Sequence, residues 1–142
     1  MHRQDKKLSE GGFPKVNTMI KWVYLVLGGI AGTILRYVVS GMVYETTGTG
    51  FPYGTLVVNG SGCFVIGFLA CLSEEKFIVG PDMRVLLMAG FCGAFTTFST
   101  FMLETANLMK GGETLKALGN VVLSLIVGFV LFRLGVLLAE LI

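Results

Sequence analysis

Charge is scarce in this chain: Asp, Glu, Lys and Arg make up 14% of its 142 residues, against 54% hydrophobic residues. A soluble domain of this size needs charge spread over its outer faces, and here charge is confined to the ends of apolar runs. Histidine occurs once, as His2, and the three cysteines, Cys63, Cys71 and Cys92, form no C-x-x-C pair. Those absences argue against a metal centre or a disulfide framework and leave the cysteines as small packing residues. The net charge of +2 comes from scattered basic residues, with no stripe to follow the phosphates of a nucleic acid. No polar stretch is long enough to form a catalytic unit outside the apolar runs, so the chain does not read as an enzyme.

What is present is hydrophobic length. Mean hydropathy is +0.77, and four apolar runs recur at about 22–44, 53–72, 85–105 and 115–141. Each is close to the ~20 residues a helix needs to cross the hydrocarbon of a bilayer. The expected fold is therefore an all-α integral membrane protein, with residues 19–142 forming a single four-helix membrane domain in contact with lipid. Residues 1–18 read as a disordered polar tail, because glycines and a proline interrupt any helical pattern. The tail does not resemble a cleavable signal: the apolar run behind it is too long and lacks a small-residue cleavage site. Lys21, Lys76 and Arg84 fall on one side of the four spans, and Lys110 and Lys116 on the other. That difference is too small for the positive-inside rule to choose an orientation, although the basic residues of the tail favour an inward N-terminus.

Polar residues inside the runs point to function. Gly28 and Gly32 give the first span a small-xxx-small face for close packing. Arg36 lies inside the same span and must snorkel, pair or face a wet cavity. Asn59 lies in the second span and needs partners, either as glue between helices or along the path of a permeant species. The third span carries the densest anomaly, Gly90 to Phe101, with two glycines, four hydroxyl side chains and four phenylalanines. Glycine frees the backbone to leave helical geometry, and broken backbone in a membrane survives only where protein buries it or water lines it. Phe98 and Phe101 share a helix face at i, i+3 spacing. They either pack the bundle or offer electropositive ring edges to a small desolvated anion. Hydroxyls of Ser99 and Thr100, with the Asn59 amide, are candidate donors of stronger bonds to the same anion. The fourth span is interrupted by Asn120, Ser124 and Arg133, with Gly119 and Gly128 as small contact points.

At these residues the chain resembles the Fluc/CrcB family of fluoride channels. The resemblance runs from about Gly28 to Leu141. It rests on Gly28-Gly29-Ile30-Ala31-Gly32 with Arg36-Tyr37, on Gly54-Thr55-Leu56-Val57-Val58-Asn59-Gly60, and on Gly90-Phe91-Cys92-Gly93 leading into Thr96-Thr97-Phe98-Ser99-Thr100-Phe101 and Glu104. It implies an antiparallel dual-topology homodimer with two fluoride pores, a third helix broken at its centre, and a structural Na+ at the dimer centre. By the same resemblance Gly93 and Thr96 hold the sodium through backbone carbonyls. Asn59, Phe98 and Phe101 line the pore, and Ser99, Thr100 and Glu104 form its polar track. On the fourth helix the family often places a tyrosine and spaced hydroxyls, whereas here Asn120, Ser124 and Gly128 stand; Ser124 is the hydroxyl carried over. The implied role is passive export of fluoride across the cell membrane, which lowers its toxicity in the cytoplasm. A small four-helix multidrug exporter is the alternative, but it needs a carboxylate in the first span, and no Asp or Glu interrupts Trp22 to Tyr44. A non-transporting assembly subunit is a third reading, and it leaves the hydroxyl-rich stretch without a role.

Overall fold

The computed structural model describes residues 18–142, so the expected tail lies outside the described residues apart from Thr18, which begins the first helix. Five helices follow. The first, α1, is Thr18–Thr47; α2 is Tyr53–Ala70, prolonged by a wider π-type turn over Cys71–Glu75. The next, α3, covers residues 81–95, with Pro81–Arg84 and Gly93–Phe95 flanking a π-helical stretch at Val85–Cys92. After a two-residue interruption, α4 is Phe98–Lys110 and α5 is Thr114–Glu140. They make four candidate membrane spans, Met19–Thr47, Tyr53–Glu75, Pro81–Lys110 and Thr114–Glu140. All four overrun the expected limits at one end or both, the fourth by a single residue, because helices continue through polar interfacial residues that hydropathy alone excludes. The third begins early at Pro81, whose fixed φ and missing amide hydrogen suit the first turn after the extended Gly80.

Small residues set how closely these helices approach. A Cβ on Gly28 would collide with the Leu86 carbonyl oxygen, and one on Gly32 with that of Phe91. The small face foreseen in α1 therefore lies directly on the backbone of α3. Gly67 meets the Phe132 carbonyl and Gly135 the Phe64 carbonyl, which brings α2 against α5 in the same way. Of the two glycines expected to make contacts in α5, Gly128 faces the Cys63 sulfur, while Gly119 has open space around it. Gly135 is the residue that brings α5 close.

The turns tie the bundle ends together. On one side Arg84 pairs with Glu74 at 3.0 Å, and the Lys76 ammonium donates to the Glu140 carbonyl at 3.1 Å. On the other, Lys116 pairs with Glu113 at 2.6 Å and reaches the Gly50 carbonyl at 3.4 Å. Gly48 and Gly112, at φ 75° and 77°, make the turns on that second side, where a side chain would strain the left-handed backbone. The surface is strongly apolar: Ile34, Leu125 and Phe129 are all exposed. Such a surface is stable only against lipid or another chain.

Candidate functional site

The third span breaks at Thr96 and Thr97, both extended, with φ/ψ of −79°/156° and −147°/114°. The glycines before them do not break it. Gly90 lies within the π-helical stretch and packs 3.1 Å from Gly28 Cα, were it to carry a Cβ, so its lack of a side chain serves packing. Threonine makes the break by offering the backbone other partners. The Thr96 amide and hydroxyl both donate to the Cys92 carbonyl, at 3.0 and 2.9 Å, and close the last turn of α3. The Thr97 hydroxyl oxygen accepts from the Thr100 amide at 3.2 Å and so caps α4.

Asn59 holds the break open. Its Oδ1 accepts from the Thr97 amide at 2.7 Å, and its Nδ2 donates to the Thr97 carbonyl at 3.0 Å. In a continuous helix the Thr97 amide would donate to the Gly93 carbonyl and the Thr100 amide to the Thr96 carbonyl. Both amides are diverted, so both carbonyls lose their helical donors. Gly62 makes the close approach feasible, since a Cβ there would collide with the Thr96 methyl.

Two cavities meet at the break. One, of 360 Å³, gathers Asn59, Gly93, Thr96, Phe98, Phe101 and Ser124 in its lining. The Phe98 and Phe101 rings stand 5.8 Å apart at 38°. Phe101 is buried, whereas Phe98 is 74% exposed in the single chain. The second cavity, of 230 Å³, is lined by Arg36, Ser40, Tyr44, Thr55, Thr100 and Glu104 among others, and Thr97 lines both cavities. Within it the Thr97 hydroxyl donates to the Thr100 hydroxyl at 2.9 Å. Arg36 has no ion-pair partner among the described residues. Ser99 is exposed and 3.4 Å from the Thr97 hydroxyl, and it lines neither cavity.

Glu104 sits one turn beyond Thr100. Its Oε1 accepts from the Tyr44 hydroxyl at 2.7 Å and the Thr55 hydroxyl at 2.9 Å. Its Oε2 is buried without a hydrogen-bond partner among the described residues. Behind Phe101, Asn120 is 1% exposed and donates to the Thr105 hydroxyl at 2.9 Å, which donates to the Phe101 carbonyl at 2.7 Å. The Ser124 hydroxyl lies 3.5 Å from the Asn120 oxygen. Asn120 thus pins α5 to α4, and of the two fourth-span polar residues Ser124 is the one in the cavity lining. Sequence reading passed over Tyr44, Thr55 and Thr97 as contributors. Thr55 carried a usable signal, standing one helical turn before Asn59 and therefore on the same face.

Four apolar helices long enough to cross a membrane, one of them interrupted where two cavities meet, define a small polytopic membrane protein built around a broken helix. The family profile described as "CrcB-like protein, Camphor Resistance (CrcB)" matches residues 23–136, and the chain belongs to that family. A relative in Methylocella silvestris is 45% identical over 74% of this chain and 82% of its own length, and is named "Fluoride-specific ion channel FluC". Relatives bearing the same name occur in Desulforapulum autotrophicum, 42% identical over 86% of this chain and 98% of its own, and in Maridesulfovibrio salexigens, 43% identical over 87% and 98%.

Proposed function

We infer that this chain is a fluoride-specific ion channel of the membrane. Membership of a family whose relatives carry that name supports the reading. The observation in the chain itself that carries it is the break at Thr96 and Thr97, held by Asn59 and flanked by cavities whose linings include the hydroxyl residues Thr97, Thr100 and Ser124 and the aromatic residues Phe98 and Phe101. Fluoride is a small, strong hydrogen-bond acceptor, so it gains most from donors already in place when its water is stripped. A narrow passage rejects the larger chloride by size. The pathway runs past Phe98, Phe101, Asn59 and Ser124 on one side of Thr97, and past Thr100 and Glu104 on the other, with Ser99 beside the break. Arg36, half-buried and lining the 230 Å³ cavity, attracts anions toward it. Transport is passive and exports fluoride from the cytoplasm.

Two copies in antiparallel orientation form the working unit, each with its own pathway. Support comes from the open side of the larger cavity, where Phe98 and Gly93 are exposed in the single chain. Sodium at the centre of that dimer fits the residues present. The diverted amides of Thr97 and Thr100 leave the Gly93 and Thr96 carbonyls free of helical donors, and carbonyl oxygens suit a hard cation. A sodium held by the Gly93 and Thr96 carbonyls would supply fixed positive charge beside the break.

The test is fluoride efflux from liposomes that hold the purified chain alone, with chloride as control. Fluoride should leave and chloride stay; trapped fluoride refutes the channel reading. Phe98→Ile and Phe101→Ile should each slow efflux about fivefold, as expected if an aromatic contact worth about 1 kcal/mol is lost at the barrier. Unchanged rates in both would return the rings to packing.

A further inference from the structure

Glu104 is the one acidic side chain among the residues assigned to the pathway, and its two oxygens differ. Oε1 receives hydroxyls from Tyr44 and Thr55, while Oε2 is buried and unpartnered among the described residues. Tyr44 reaches Glu104 from α1, 60 positions earlier in the chain, so the contact is tertiary and not a helical neighbour effect. Its ring has a dedicated slot. Gly54 lies beneath it, and a Cβ there would stand 2.5 Å from the Tyr44 ring carbon Cε2.

The pair also stands at a boundary. Tyr44 and Glu104 line the 230 Å³ inner chamber that runs back to Thr97, and they line a 380 Å³ outer cavity bounded by Thr49, Pro52, Asn107 and Glu113. They are the two residues common to both linings. The outer cavity is built from the α1–α2 and α4–α5 turns, which places it at the end of the bundle. An ion passing between the break and that end passes the Tyr44–Glu104 hydrogen bond.

We propose that Tyr44 is a positioning residue for the permeation pathway: by holding Oε1 of Glu104 it fixes the carboxyl group that partitions the inner chamber from the outer cavity. The inference rests on the channel reading for its consequence, and on geometry alone for the contact. Without the Tyr44 hydroxyl, Oε1 keeps only Thr55, the carboxyl group is free to rotate, and the partition loosens. A hydrogen bond between a hydroxyl and a carboxyl group of either protonation state perturbs that group's infrared stretch, so the contact has a readout independent of transport.

The experiment uses the full chain in liposomes. Tyr44→Phe keeps the ring in its slot and removes the hydroxyl alone. The infrared difference spectrum between wild type and Y44F should contain a shifted carboxyl band, and that band should be absent from the difference between E104M and E104M/Y44F. Fluoride efflux by Y44F should change about threefold to tenfold from wild type, the range expected for one hydrogen bond to an acidic group acting at the barrier. Gly54→Ala, which pushes the ring from its slot, should shift the same band. The proposal is overturned if Y44F leaves the carboxyl region unchanged, if the band persists in the E104M background, or if Y44F efflux equals wild type. Should wild type itself move no fluoride, the channel reading fails, and the infrared arms still decide whether Tyr44 positions Glu104.

Discussion

Asn59 shows how one side chain can serve a structure by taking bonds away from it. Its amide satisfies both backbone groups of Thr97, and in doing so it prevents the helix from closing over Gly93. Asn59→Ala should therefore destabilise the protein by about 1–3 kcal/mol for the polar groups left unpaired at the break. If the Gly93 and Thr96 carbonyls hold sodium as proposed, sodium should also raise the melting temperature of the detergent-solubilised variant less than that of wild type, since the Thr97 amide is no longer diverted from the Gly93 carbonyl. Equal sodium stabilisation in the two proteins would separate Asn59 from the proposed cation site. The sequence made Asn59, Phe98, Phe101 and Ser124 conspicuous because amides, hydroxyls and paired aromatics stand out in an apolar run. Tyr44 and Thr55 were hidden because such residues are ordinary near the ends of membrane helices. Only the fold brings Tyr44 within 2.7 Å of a carboxyl group 60 residues away.

At the scale of elements, an interruption in the third span was legible from composition, but its cause was not. Glycine and threonine were both present in the stretch from Gly90 to Phe101, and glycine's conformational freedom made it the expected weak point. The fold assigns them other work: Gly28, Gly32 and Gly90 let α1 and α3 touch through their backbones, while Thr96 and Thr97 leave helical geometry. The distinction depends on which neighbour a residue meets, and a single sequence does not contain that neighbour. Gly32→Ala gives a direct test of the packing role. The new methyl group would meet the Phe91 carbonyl and the Phe95 amide, both backbone atoms with no rotamer to yield. The variant should lose about 1–3 kcal/mol, as overpacked interiors do. Thermal unfolding in detergent should register the loss, and Gly29→Ala, which meets nothing within 4 Å, should leave the midpoint near wild type. A G32A midpoint as high as that of G29A would mean that α1 does not lie on α3 as described.

For the whole molecule, the deciding quantity is the balance of charge across the membrane. The cross-links at the two ends of the bundle sort the turns: Lys76, Arg84 and the end of α5 share one side, and Gly50, Glu113 and Lys116 share the other. Lys21, at the start of α1, belongs with the first group and Lys110, at the end of α4, with the second. Leaving aside Arg36 and Arg133, which lie within α1 and α5, the helix ends and turns carry three basic residues near one face and two near the other, which is close to parity for a rule that reads Lys and Arg near the ends of membrane helices. An antiparallel dimer needs both orientations, so near-parity is what such an assembly requires of its sequence. The basic residues at Arg3, Lys6, Lys7 and Lys15 oppose it by favouring an inward N-terminus. A reporter fused to the C-terminus of residues 19–142 should therefore be found on both faces of the cell membrane in comparable amounts. Adding residues 1–18 should raise the inward fraction without abolishing the outward one. A reporter confined to one face in both forms would exclude the antiparallel dimer, and the carbonyls of Gly93 and Thr96 would then need a partner other than a second, inverted copy of this chain.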